Sequence, residues 1–173
     1  MTYTPILGTL AYVFDDTRRQ VLLVHRNARD SDQHLGKWNG LGGKIEDFED
    51  VAASVRREVG EEAGIDIVAM TLRGTVSWPG FGPSGEDWFG FVFLVTTWSG
   101  EPTTRNAEGD LHWVPLDRIL AACDPEDPSA VDLPMWEGDR YFLPLVFDGD
   151  PRVFHGVMPY HGGRPSSWSV ERW

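Results

Sequence analysis

Between Gly43 and Ile65 the chain reads GKIEDFEDVAASVRREVGEEAGI, and no other stretch constrains its folding as strongly. Asp50 is a suitable N-cap with Val51 as the first helical residue, and Gly64 marks a left-handed exit. Between these limits Ala52, Val55, Val59 and Ala63 share one face, an apolar stripe of the kind that packs on a sheet. Glu58, Glu61 and Glu62 lie at i, i+3 and i+4 on another face, where like charges repel and weaken a helix. A solvated acidic face with ordinary ion pairs accommodates them, and so does a hard divalent cation, which takes carboxylate oxygens together with water and phosphates. Gly42-Gly43 lets the backbone turn tightly before the helix and frees a carbonyl to face such an ion. Arg57, one turn before Glu61, is placed to hold a carboxylate rather than a ligand.

The spacing runs Gly43, five residues, Glu49, seven residues, Arg57-Glu58-Val59, then Glu61-Glu62, Gly64 and Ile65. It resembles the Nudix box, Gx5Ex7REUxEExGU with U a bulky aliphatic, at every specified position, a highly specific match for a short motif. The resemblance implies an α/β fold, the Nudix α/β/α sandwich with a central mixed sheet and a catalytic loop-helix. It also implies hydrolysis of X linked to a nucleoside diphosphate with help from Mg²⁺, Mn²⁺ being the alternative. On this reading the Gly42 carbonyl, Glu58, Glu61, Glu62 and a distal glutamate, Glu108, hold metal. Glu58 is the expected base, Arg57 braces the loop through Glu49, and Glu61 belongs to the same catalytic group. By its own sequence context Glu108, five residues before Trp113, reads equally as a surface loop residue.

The remaining composition narrows the class. With 173 residues the chain is long enough for one domain with a full core, taken as residues 1–173. The net charge of −12 disfavours a nucleic acid polymer as partner, since phosphate contacts need a basic surface. It allows a nucleoside triphosphate when metal ions bridge the two sets of anions. Apolar runs such as Phe91–Val95 are too short to span a membrane, and MTYTP lacks the basic and apolar regions of a signal peptide. A lone Cys123 excludes an intrachain disulfide and points to the cytoplasm. It sits in the loop-like AACDPEDP and is a poor nucleophile.

Along the chain, Ile6–Phe14 and Gln20–His25 read as a hairpin about the polar turn Asp15–Arg19. A polar loop, Asn27–Gly36, precedes the short segment Lys37–Lys44. Ile67–Trp78 and Trp88–Trp98 read as long strands separated by PGFGPSGED, and Leu111–Val114 as another. Asp117–Ala122 is a short expected helix, Asp124–Pro134 a loop, and Asp139–Phe147 a helix bent by Pro144. Arg152–Tyr160 and Ser166–Arg172 form an expected closing pair of strands. No repeat, low-complexity tract or long linker divides the chain.

Clues to the substrate lie outside the acidic helix. The segments WNGLGGK (38–44), MWEGD (135–139) and FHG (154–156) resemble the oxidised purine nucleoside triphosphatases, and the WEGD form resembles their bacterial members. That branch converts 8-oxo-dGTP to the monophosphate and pyrophosphate. The residue types suit a purine. An Asp139 carboxylate accepts from the adjacent N1–H and N2–H donors of guanine. Asn39, both donor and acceptor, suits an edge mixing O6 with a protonated N7, and Trp136 offers a stacking face. Thr9, by resemblance, lines the same pocket, as do Lys44 and Trp78, with Phe81 and Trp88 flanking the adjacent loop. Each key residue has a structural alternative: Asn39 in a turn, Asp139 as an N-cap, Trp136 in the core. The vertebrate-type relatives carry two aspartates where this chain has Gly138-Asp139, which narrows the expected breadth across oxidised purines. Two other functions compete. Pro79, about fourteen residues past the helix motif, resembles a proline of ADP-ribose-cleaving relatives. Some proteins of this fold bind nucleotides as regulators, though these tend to lose the carboxylates kept here. His155 is read as structural, and no histidine pair has zinc-ligand spacing.

Overall fold

The computed structural model describes residues 2–124, 126 and 132–173. Part of the expected loop Asp124–Pro134 falls outside the described residues. The strands are β1 (Ile6–Asp15), β2 (Gln20–Arg26), β3 (Trp38–Asn39), β4 (Asp66–Trp78), β5 (Trp88–Ser99), β6 (Gly109–Pro115), β7 (Phe154–Val157), β8 (Tyr160–His161), β9 (Arg164–Pro165) and β10 (Ser169–Arg172). The helices are α1 (Val51–Ala63), α2 (Leu116–Cys123) and α3 (Asp139–Phe147).

The β1–β2 turn forms because Asp15 accepts hydrogen bonds from the Thr17 and Arg18 amides and the Thr17 hydroxyl, a local bond pattern that competes with strand pairing. The main sheet runs β10-β7-β4-β5-β1-β2-β3, with β6 on the other part of β2. It is mixed: β1/β5 and β4/β7 are parallel, the other pairs antiparallel. Strand alternation sends Val13, Leu22 and Val24 to one face, where they meet Val55, Val59 and Ala63 of α1. Tyr12, Val21 and Leu23 go to the other, against Ile119 of α2 and Phe142 and Val146 of α3. The sheet is therefore covered on both sides, as expected of an α/β/α sandwich.

Three local expectations change. Ala52 is only half-buried while Ser54 is buried, so the contact face of α1 is rotated slightly from the apolar stripe. Cys123 ends α2 rather than lying in a loop, and it is buried. Arg152–Tyr160 is not one strand. Phe154–Val157 pairs with β10, whereas Tyr160 starts a separate hairpin with β9. Gly162 and Gly163, at φ 58° and 78°, supply the two positive φ angles of a tight hairpin turn.

One irregularity creates the cleft. β2 pairs with β1 only at Val13–Asp15 and then leaves it for β6 and β3. The vacated edge of β1 is taken by the glycine-rich segment. Leu41 exchanges backbone hydrogen bonds with Ala11, the Thr9 amide donates to the Gly43 carbonyl, and the Ile45 amide donates to Leu7.

Candidate active site

Asp50 caps α1 by accepting from the Ala52 and Ala53 amides at 2.8 Å each, and Gly64 ends it at φ 70°. These boundaries fix which way the glutamates point. Glu62 accepts the Gly42 amide at 2.9 Å. The Glu58 carboxylate lies so close to Gly43 that a Cβ there would overlap it. Arg57 donates to both Glu49 oxygens at 2.6 and 3.0 Å, to Glu58 at 2.9 Å, to Glu61 at 3.3 Å and to the Lys44 carbonyl at 3.1 Å. It therefore braces the loop through Glu49, and its hydrogen bonds, with that of the Glu46 amide, hold the Glu49 carboxyl down at about 2. Glu61 faces outward, with its side chain 63% exposed.

Glu108, from the loop before β6, is ion-paired with Arg26 and borders the same cleft. Burial, and then the nearby Glu108 charge, push the Glu62 carboxyl well above its ordinary range; the Gly42 amide opposes this. Burial also raises Glu58, against the Arg57 charge. Glu58, Glu62 and Glu108 thus form a crowded set of hard oxygen donors, the chemistry a divalent cation satisfies. Among the described residues no three ligand-type side chains already converge in coordinating geometry. Arg57 and Arg26 hold two of these carboxylates instead.

Gly42, at φ 146°, packs on β1 so closely that a Cβ would overlap the Thr9 carbonyl. Gly42→Ala is expected to cost about 3 kcal/mol or more. Gly60→Ala, with no atom nearer than 3.9 Å, should gain roughly 0.5–1 kcal/mol. Urea unfolding of the two variants checks the contrast, and equal behaviour would contradict the packing described.

Beside the carboxylates a cavity of about 330 Å³ opens along the split between β1 and β2. Thr9, Asn39, Gly42, Lys44, Trp78, Glu108, Trp136 and Asp139 line it, and Phe81 and Trp88 complete its aromatic wall. Trp136 meets Phe81 edge-on, with ring centres 5.2 Å apart, so it is a wall of the cleft rather than core. The two lysines of the chain both stand at this cleft, Lys37 with its ammonium 4.7 Å from the Trp136 ring and Lys44 5.5 Å from that of Trp88. Asp139 is the first residue of α3, after the cap Gly138, and makes no capping hydrogen bond; the N-cap alternative is excluded. Burial pushes its carboxyl up to about 7, opposed by the Trp136 backbone amide and then by Lys37. Two polar atoms of the wall, Thr9 Oγ1 and Asn39 Oδ1, are buried without a hydrogen-bond partner. His155 is structural as expected, its Nδ1 2.9 Å from the Thr75 hydroxyl.

Sequence reasoning missed Tyr12, Arg26, Gln33, His34 and Tyr160, all of which line the cleft. Only Tyr160 had a usable signal, the Gly-Gly turn that detaches it from β7.

Residues 4–144 match the model of the NUDIX domain. The chain belongs to the Nudix family. Its members are hydrolases of phosphoric anhydride bonds that bind nucleotides and generally use divalent metal ions. Among similar proteins is an uncharacterised Nudix hydrolase, YvcI, of Bacillus subtilis (strain 168), 29% identical over 92% of this chain and 89% of its own. An 8-oxo-dGTP diphosphatase of Proteus vulgaris is 35% identical over 57% of this chain and 84% of its own. The crystal structure of a MutT protein from Bacillus halodurans superposes with a TM-score of 0.75 at 28% identity, covering 96% of this chain and 97% of that one. Within this Nudix fold Gly138 is buried, and a Cβ there would overlap the Tyr160 hydroxyl and the Met158 sulfur. A side chain at position 138 would therefore require Tyr160 and Met158 to shift.

Proposed function

We propose that the chain hydrolyses oxidised purine nucleoside triphosphates, 8-oxo-dGTP foremost, to the monophosphate and pyrophosphate, as a single Mg²⁺-dependent domain acting in the cytoplasm. The observation that carries this reading is Asn39. Its Nδ2 lies 3.1 Å from the His34 ring nitrogen, while its Oδ1 is buried and unpartnered on the cleft wall. An orphaned acceptor is costly unless a ligand donates to it. Ordinary guanine presents an acceptor at N7; the 8-oxo form presents an N–H there. Asp139 supplies acceptors for N1–H and the exocyclic amine, and the aromatic wall of Trp78, Phe81 and Trp136 suits a flat base.

The reaction is then assigned to the adjoining carboxylates. Glu58, Glu62 and Glu108, with the Gly42 carbonyl, are the groups that would hold the metal, Glu61 standing at the rim. A bound divalent ion supplies charge neutralisation for the phosphates and a lowered pKa for water. Glu58 is assigned to take the proton of the attacking water. Arg57 keeps Glu58 and the loop in register, and Lys44 faces the phosphates. Among the described residues no helix is long and apolar enough to cross a membrane. The buried Cys123 thiol, pushed up to about 12 by burial, is kept out of the chemistry.

A substrate panel with Mg²⁺ and phosphorus NMR tests the reading. The expected products are 8-oxo-dGMP and pyrophosphate, with ADP-ribose and dinucleoside polyphosphates turned over far more slowly. Orthophosphate as the first product, or a preference for ADP-ribose, would overturn it.

A further inference from the structure

The cleft contains a histidine that motif reasoning does not single out. His34 Nδ1 accepts the Trp136 indole N–H at 2.8 Å and lies 3.1 Å from Asn39 Nδ2. The two rings meet edge-on, with centres 5.2 Å apart. Trp136 lies just before α3 and Asn39 on β3, so one ring nitrogen joins two walls remote in sequence. The loop carrying it is itself braced. Asp32 accepts the His34 amide at 2.9 Å, and Arg26 Nε donates to Asp32 at 2.8 Å. Acceptance at Nδ1 places the ring proton on Nε2, so the Gln33 amide nitrogen 3.3 Å away, itself a donor, makes no hydrogen bond to the ring in this tautomer.

We propose that His34 is a positioning residue for purine recognition, its Nδ1 clamping Trp136 and Asn39 into one arrangement. This rests on the base-pocket reading above and adds a residue to it. Because the Asn39 amide nitrogen is turned toward Nδ1, the carboxamide presents its oxygen to the ligand. A hydrogen on Nδ1 would face two N–H donors, so the clamp exists only with the neutral ring. The charges facing the ring are Arg26 from β2, Asp32 from its own loop, Lys37 before β3 and Glu108 before β6. Burial, with Arg26, favours the neutral form over the opposing carboxylates and lowers the pKa from its ordinary value. The unfolded chain takes this proton first, so the fold loses stability as pH falls below about 6.5, whereas the clamp opens only as pH falls further, through the lowered pKa of the folded state.

Two variants and two readouts test the proposal. His34→Phe keeps a ring without an acceptor; His34→Asn places an uncharged oxygen near the Nδ1 position. At pH 8, His34→Phe should raise KM for 8-oxo-dGTP about tenfold with kcat little changed, the loss of one oriented contact set, and His34→Asn should restore KM. Independently of any substrate, the Trp136 indole ¹⁵N–¹H signal, assigned by its loss in Trp136→Phe, should titrate below pH 6.5 in the wild type and stay flat in His34→Asn. An unchanged KM in folded His34→Phe overturns the proposal, and so does an indole titration that persists in His34→Asn. If 8-oxo-dGTP is not hydrolysed at all, the substrate reading fails and the indole titration alone decides the clamp.

Discussion

Glu62→Gln is expected to lower kcat by about a thousandfold, equivalent to roughly 4 kcal/mol of transition-state stabilisation, while the protein stays folded. Glutamine keeps an oxygen for the Gly42 amide, so the loop that Glu62 holds at 2.9 Å remains in place. What disappears is a buried negative charge already in conflict with Glu108 and Glu58. Without metal the variant should therefore melt at the same temperature as the wild type or higher. Glu61→Gln should lose less, because that side chain is 63% exposed and stands outside the buried set. The measurement is kcat at saturating Mg²⁺ beside thermal melting with and without the ion. Full turnover in Glu62→Gln would remove the carboxylate face from the reaction.

The second large effect concerns Asp139. Asparagine there keeps one acceptor but turns a donor toward the guanine donors, so kcat/KM for 8-oxo-dGTP should fall about 10–100-fold, a loss of roughly 1–3 kcal/mol. A pyrimidine triphosphate, unable to make the same pair, should change little. Stability should move the other way. The carboxyl is pushed up to about 7 in the fold but has an ordinary pKa near 3.9 when unfolded. The folded state therefore holds the proton more tightly between these values, and the fold is progressively destabilised as pH rises from about 4 to 7. Asp139→Asn removes that penalty, so it should gain up to about 4 kcal/mol at pH 8 and almost nothing at pH 4. Unfolding at the two pH values, with kinetics on both substrates, separates the roles. Unchanged selectivity would exclude Asp139 from base recognition.

What was legible in the sequence was local or carried by a motif. The caps at Asp50 and Gly64, the helix between them and the β1–β2 hairpin follow from neighbouring residues alone. The positions of Thr9, Asn39, Glu108, Trp136 and Asp139 followed from the family resemblance, and the structure gathers all five at one cleft. His34 was not legible, because its loop has no periodicity and its partners lie five and 102 residues away. Arg26 ends a strand and reads as a surface charge until Glu108 and Asp32 close around it. The departure of β2 from β1 left no mark either, since pairing along both edges of a strand depends on partners far along the chain.

That departure separates two tasks within one sheet. Backbone from a glycine-rich segment, rather than another strand, closes the gap on β1. The acidic helix is anchored on the loop's far side, and the aromatic wall grows from strand ends and the segment before α3. On the proposed function, substitutions in the wall are expected to alter which base is admitted without disturbing the carboxylates assigned to the phosphates. A lineage built on this scaffold can change its diet while keeping its teeth.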